Sequence, residues 1–176
     1  MTHSYRMLAY DRMLAWINKE EEPKGSNMGP VVDWAVTPWA GKVHSAIPWC
    51  AAAVSTAYLE AGYPGMKKIG SLSCDALYAH LSNLEGIKKM EWISAKKVLR
   101  SRGLSLWDQE SWEKFFGFAP GRGDLILFGV ASDLKHVGMV DYVDYAMKRI
   151  ETIEGNHGDG MRAAHREDFF SIVRLP

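Results

Sequence analysis

The sequence predicts an α+β fold, with N-terminal helices packed on a C-terminal antiparallel sheet. Apolar residues recur at helical spacing, with helix-stop signals, in the runs up to residue 103. After about residue 120 the texture changes to short β-branched or apolar runs separated by turn residues. The two textures follow one another instead of alternating, which argues against a βαβ parallel sheet.

In chain order, residues 5–18 ("YRMLAYDRMLAWIN") place Met7, Leu8, Leu14, Ala15 and Ile17 at helical spacing and predict an amphipathic helix. "KEEEPKGSNMGP" breaks it, and the charge run Lys19–Glu22 is expected to be a solvated helix end. Residues 31–47, with Trp34 and Trp39, are expected to be irregular. A short helix then opens at Cys50 and carries Ala51, Ala52, Ala53 and Val54; Gly62 and Pro64 stop it, as a left-handed cap followed by a residue that cannot continue. "SLSCDALYAHLSNL" (71–84) predicts a capped helix, and "WISAKKVLRSRG" (92–103) another, closed by Gly103. "DLILFGV", "HVGMVDYV", "RIETIEGN" and "FFSIVRLP" predict strands. No internal repeat, low-complexity tract or linker interrupts the chain, so residues 1–176 are expected to form one domain.

Composition narrows the function classes. The 21 basic and 21 acidic residues cancel, so a nucleic-acid binder held by bulk charge is not expected. No apolar run approaches the roughly 20 residues that span a bilayer, so membrane insertion is not expected. The opening residues lack a signal peptide's apolar core, because Asp11 and Arg12 interrupt it; synthesis in the cytoplasm is the expectation. The two cysteines, Cys50 and Cys74, do not make a disulfide scaffold, and no CxxC pair suggests structural zinc.

Three groups suggest a nucleophilic centre. Cys50 stands at a helix start, where the helix dipole favours a thiolate. Cys74 also stands near a helix start, but Asp75 beside it disfavours a thiolate, and Cys74 is assigned to packing. Among six histidines, His136 opens a predicted strand after the polar loop "ASDLK"; His3, His44, His80 and His165 have no comparable setting, and His157 directly follows the third group. That group is "IEGN", in which strand alternation points Glu154 and Asn156 the same way. A carboxylate or amide beside an imidazole fixes its tautomer and stabilises the imidazolium.

With these residues in view, the chain resembles the cysteine, histidine-dependent amidohydrolase/peptidase (CHAP) domains of phage lysins and bacterial wall hydrolases, within the wider papain-like NlpC group. The matching pieces are "GSN" (25–27), "PWCAAAVSTAYLEAG" (48–62), "SAKKVLRSRG" (94–103), "GDLILF" (123–128), "HVGMV" (136–140) and "IETIEGN" (150–156), spanning about residues 10 to 160. The resemblance implies a papain-like fold and hydrolysis of an amide bond in peptidoglycan. Cys50 would be the nucleophile, His136 the general base, Glu154 its orienting group and Asn156 a supporting polar group, while Gly123 and Asp124 would form a turn, which disposes of "RGD" as an adhesion signal. Trp49, with Trp34 and Trp39, would line the substrate groove. Some members carry an Asp-rich calcium loop before the cysteine; here only Asp33 stands there, so no metal and no cofactor are expected. Residues 66–91 look inserted relative to shorter members, as a lid or groove wall. The cut would be either N-acetylmuramoyl-L-alanine amidase or stem-peptide or cross-bridge endopeptidase. The setting would be a phage lysin or an injected effector, the latter bringing delivery machinery and an immunity protein as partners. The rival readings are a papain-like acyltransferase or transglutaminase, and a non-catalytic wall-binding or structural module.

Overall fold

A computed structural model describes residues 4–41 and 47–176. Along the chain run α1 (Tyr5–Leu14), α2 (Pro30–Ala40), α3 (Cys50–Glu60), α4 (Met66–Ile69), α5 (Cys74–Ser82), β1 (Lys88–Glu91), α6 (Trp92–Ser101), α7 (Gln109–Phe116), β2 (Leu125–Val130), β3 (Asp133–Asp144), β4 (Arg149–Glu154), β5 (Arg162–Arg166) and β6 (Ser171–Arg174). The fold class is α+β. All the strand pairs are antiparallel and form one sheet in the order β1-β6-β2-β3-β4-β5.

Helix α3 runs through the middle of the molecule. Every residue from Cys50 to Tyr58 is buried, as expected for a helix apolar on all sides. Its alanines at 51, 52 and 53 are fully enclosed, and their small side chains let α1, α2 and β3 approach it closely. The sheet's period-2 alternation divides two cores. Leu125, Leu127, Met139 and Val173 face the cluster built on α1–α5. Ile126, Ile150 and Ile172 face a second cluster around Trp92, Leu99 and Trp112 of α6 and α7.

The chain's two ends are tied at the turn before β2. Gly123 has φ +82°, and a Cβ there would lie 2.3 Å from the Arg6 carbonyl oxygen. Asp124 is fully buried and accepts from Arg6 Nη1 at 2.7 Å, from Arg174 Nε at 2.9 Å and Nη2 at 2.7 Å, and from the Gly121 N–H at 2.8 Å. A carboxylate so enclosed is structural, in keeping with the turn expected at "RGD".

Several elements differ from expectation. Helix α1 stops at Leu14, and the acidic run after it folds back on the β4–β5 connection: Glu20 bridges Gly160, and Glu21 is only 3% exposed. The run is therefore not a helix end, and Glu21 is buried while Lys19, Glu20 and Glu22 are exposed as expected. Residues 30–40 are helical, not irregular: Gly29 caps them, Pro30 occupies the first turn, where its missing N–H costs nothing, and Val31, Val32, Ala35 and Val36 form one buried stripe. The rest of the predicted irregular stretch, residues 42–46, lies outside the described residues, as do His3 and His44. Strands β1 and β5 and helix α7 were not expected; β1 and β5 are four- and five-residue edge strands rich in charge, a pattern that hides strand periodicity.

Candidate active site

Cys50 is the first residue of α3. The helix has Trp49 at its N-cap position and no side-chain cap, so its first N–H groups and the positive end of its dipole are left for other partners. Strand β3 brings His136 to the same place. Strand β3 begins at Asp133, so His136 lies inside the strand and does not open it; the expected polar loop is largely strand. Glu154 is the last residue of neighbouring β4. The register pairs Met139 with Ile153, which lays Glu154 beside Gly138. A Cβ on Gly138 would lie 2.6 Å from Glu154 Cγ and 3.0 Å from the Ile153 carbonyl oxygen, so "HVG" needs its glycine for the carboxylate to reach the imidazole.

His136 Nε2 lies 2.8 Å from Glu154 Oε2. That engages one ring nitrogen and leaves Nδ1 open, and the Cys50 thiol and the imidazole shift one another's pKa. Glu154 is fully buried and heavily satisfied. Thr152 donates to Oε1 at 2.7 Å, Arg166 Nε donates to Oε1 at 2.8 Å, and Arg166 Nη2 donates to Oε2. Burial alone would raise the Glu154 pKa, but hydrogen bonds from Arg166, His136 and Thr152 drive it well below the carboxylate range. Burial likewise disfavours the imidazolium of His136, yet the neighbouring Cys50 and Glu154 outweigh this and lift its pKa to about 9.

Sequence reasoning missed a second sulfur beside Cys50. Cys74, assigned to packing, opens α5 with its Sγ 3.5 Å from Cys50 Sγ. The Cys74 hydrogen bond is the largest influence on Cys50; burial opposes it, and His136 and the Val137 N–H reinforce it, leaving the Cys50 pKa at about 5. The same bond pushes Cys74 upward, with burial and the Asp75 charge adding to it. The pair thus favours the thiolate on Cys50 and the protonated thiol on Cys74. Asp75 serves elsewhere as well, accepting the Leu134 N–H at 2.8 Å and fastening α5 to β3. Residues 66–91 therefore supply a second sulfur and an edge strand of the sheet.

These positions predict the pH course of Cys50 alkylation. Its thiolate persists above about 5 and the His136 imidazolium below about 9, so both coexist in that window. Iodoacetamide labelling of Cys50, followed by peptide mass spectrometry, should stay nearly level from pH 8 to pH 6, whereas an ordinary thiol of pKa about 8.5 slows roughly tenfold per unit. A tenfold decline per unit across that range would remove the ion pair.

Asn156 departs from its expected place. Strand β4 ends at Glu154, and Asn156 follows with φ 56° in a turn, so the alternation that would put the two side chains on one face does not extend to it. Among the described residues, Glu154 and not Asn156 contacts His136. His157 does approach: its Nδ1 is 3.8 Å from Glu154 Oε2 and 3.5 Å from Arg166 Nη2, and burial lowers its pKa. His136, Glu154 and His157 are the described residues best placed to hold a cation, with three potential ligand atoms within 4.8 Å. The Arg166 guanidinium occupies both carboxylate oxygens, so its charge and its hydrogen bonds compete with any ion there.

Trp49 is a support and not a groove wall, while Trp34 and Trp39 are half-buried. Trp49 is fully buried and donates to Glu21 Oε1 at 2.9 Å, while Glu21 Oε2 accepts the Asn27 N–H at 2.7 Å. This network ties "GSN" to the residue before the nucleophile. Trp34 stacks on Trp16 and donates to Glu60, and Trp39 donates to Thr56 of α3. The aromatic face beside the imidazole is Phe128, with ring centroids 5.8 Å apart. Phe128 also borders an open depression of about 570 Å³ with Ile93, Val130, Phe169 and Phe170, flanked by the Lys96–Asp168 ion pair.

No family model, curated protein or solved structure matches the chain. Among the described residues, no helix is long and apolar enough to cross a membrane.

Proposed function

We propose that this chain is a papain-like cysteine amidohydrolase of the CHAP type, acting on an amide bond of bacterial peptidoglycan at the cell wall. The observation that carries the reading is the Cys50–His136–Glu154 group: a thiol at an uncapped helix start, an imidazole electrostatically coupled to it, and a buried carboxylate on the imidazole Nε2. The sequence resemblance supplies the substrate class.

In this mechanism the Cys50 thiolate attacks the carbonyl carbon of a peptide or lactyl amide. Negative charge gathers on the carbonyl oxygen, where the uncapped N–H groups at the start of α3 stabilise it. Imidazolium His136 gives its proton to the departing amine, leaving a thioester on Cys50. Neutral His136 then takes a proton from water, which attacks the thioester and releases the acid. Glu154 holds Nε2–H throughout, so Nδ1 faces the reaction. The depression beside Phe128 would receive the part of the stem peptide next to the scissile bond. An amine in place of water would give acyl transfer.

Turbidity of purified peptidoglycan, with mass spectrometry of the released fragments, tests this reading. Wild type should clear the suspension, and Cys50→Ala should lower the rate by at least about 10³-fold. The fragments distinguish muramoyl amidase from endopeptidase, and added amine reveals any acyl transfer. Equal clearing by wild type and Cys50→Ala would end the proposal.

A further inference from the structure

Two free thiols in near contact can act as a redox couple. The Cys50 and Cys74 sulfurs are 3.5 Å apart, both cysteines are free, and each is the first residue of its helix. A disulfide needs about 2.05 Å between sulfurs, a shift of the order that side-chain rotation supplies. The two helix starts face one another, and the Asp75 carboxylate holds α5 on the Leu134 N–H of the His136 strand, so the sulfurs are kept together and not brought together by chance.

From this geometry we infer that Cys74 is a resolving cysteine, which turns peroxide oxidation of Cys50 into a reversible disulfide that switches the nucleophile off. The Cys50 thiolate attacks one oxygen of a hydroperoxide; the S–O bond forms, the O–O bond breaks and hydroxide leaves. The Cys74 thiol gives its proton to that hydroxide, and its sulfur attacks Cys50 sulfur. The S–S bond forms, the S–O bond breaks and, with a proton from the medium, the hydroxyl leaves as water. The two sulfurs together lose two electrons and the peroxide gains two. A thiol reductant reverses the change by exchange. While the bridge stands, Cys50 has no thiolate, and small size gives peroxide access to a residue only 3% exposed. Without a partner, the sulfenic acid would go on to the irreversible sulfinic acid.

The inference rests on the thiol pair and not on the hydrolase reading, and its main measurement needs no substrate. Full-length protein is treated with hydrogen peroxide and analysed by intact and peptide mass spectrometry, before and after dithiothreitol. Wild type should lose the mass of two hydrogens, give one Cys50–Cys74 linked peptide and regain both free thiols on reduction. Cys74→Ser should instead gain two oxygens at Cys50 and resist reduction. Cys50→Ser, the control should Cys74→Ser fail to fold, should form no bridge and leave Cys74 unoxidised. Sulfinic acid at Cys50 in wild type, with no linked peptide, would overturn the inference. Where hydrolysis is detectable, peroxide should abolish it and dithiothreitol should restore it in wild type alone.

Discussion

On the proposed hydrolase reading, truncating Glu154 to alanine should remove most of the activity and loosen the fold together. Three side chains meet on this carboxylate, none of which has another acid within the same contacts. Arg166 is left with a guanidinium charge that is largely enclosed, its side chain 28% exposed, and breaking a buried ion pair from one side costs about 3–5 kcal/mol. His136 keeps its place in β3 but loses the acceptor that holds Nε2–H, and loss of a group that fixes a catalytic imidazole lowers turnover by about 10²–10⁴-fold. The sign of the pH effect is determined too. Glu154 is one of the groups raising the His136 pKa, so its removal lowers that pKa and draws the alkaline limb of the rate, and of Cys50 alkylation, from about 9 towards neutral pH. Glu154→Gln should keep the volume and part of the tautomer control while showing the same acidward limb. Urea titration measures the stability loss, and initial rates across pH on the folded variant measure the rest. An unmoved alkaline limb in both variants would show that Glu154 does not act on His136.

The second large effect belongs to Asp124, remote from the chemistry. Its carboxylate joins α1 through Arg6 to β6 through Arg174 and closes the turn that feeds β2. Asp124→Ala leaves two arginines facing one another without their shared acid, and a loss of about 3–5 kcal/mol is expected. The urea midpoint should fall with an unchanged slope, since the surface exposed on unfolding is the same. Peptidoglycan hydrolysis per folded molecule should stay within a few fold, because no atom of Asp124 contacts Cys50, His136 or Glu154. A loss inside the roughly 0.5 kcal/mol typical of surface substitutions would refute the structural role given to this turn.

How much of this was readable beforehand differs from residue to residue. The helix at Cys50 was legible because its signals are local: a buried alanine run, then a left-handed glycine cap. Strands β2, β3, β4 and β6 were legible from β-branched runs between turns. Helix α2 was not, because Thr37, Pro38 and two tryptophans mask a buried stripe that is clear only once the helix is seen. Strands β1 and β5 were not, because an edge strand exposes charge and is defined by its partner. Glu21 read as part of a solvated acidic run and is instead buried under Trp49. Asn156 read as the same-face partner of Glu154, but its left-handed backbone, two residues past the strand, breaks the alternation.

What the sequence by itself determined is the α+β class, the helix start at Cys50, and the order of thiol, imidazole and acid along the chain. Each of these follows from interactions among residues a few positions apart: helix periodicity, strand alternation and turn chemistry. Tertiary structure decided which acid meets His136, that Arg166 and Thr152 hold it ionised, that Phe128 and not Trp49 lies beside the imidazole, and that Cys74 comes within 3.5 Å of Cys50. Those contacts join segments separated by 24 residues in the thiol pair and 18 in the imidazole–carboxylate pair. Their register is set by packing around α3 and across the sheet, and local composition carries no record of it.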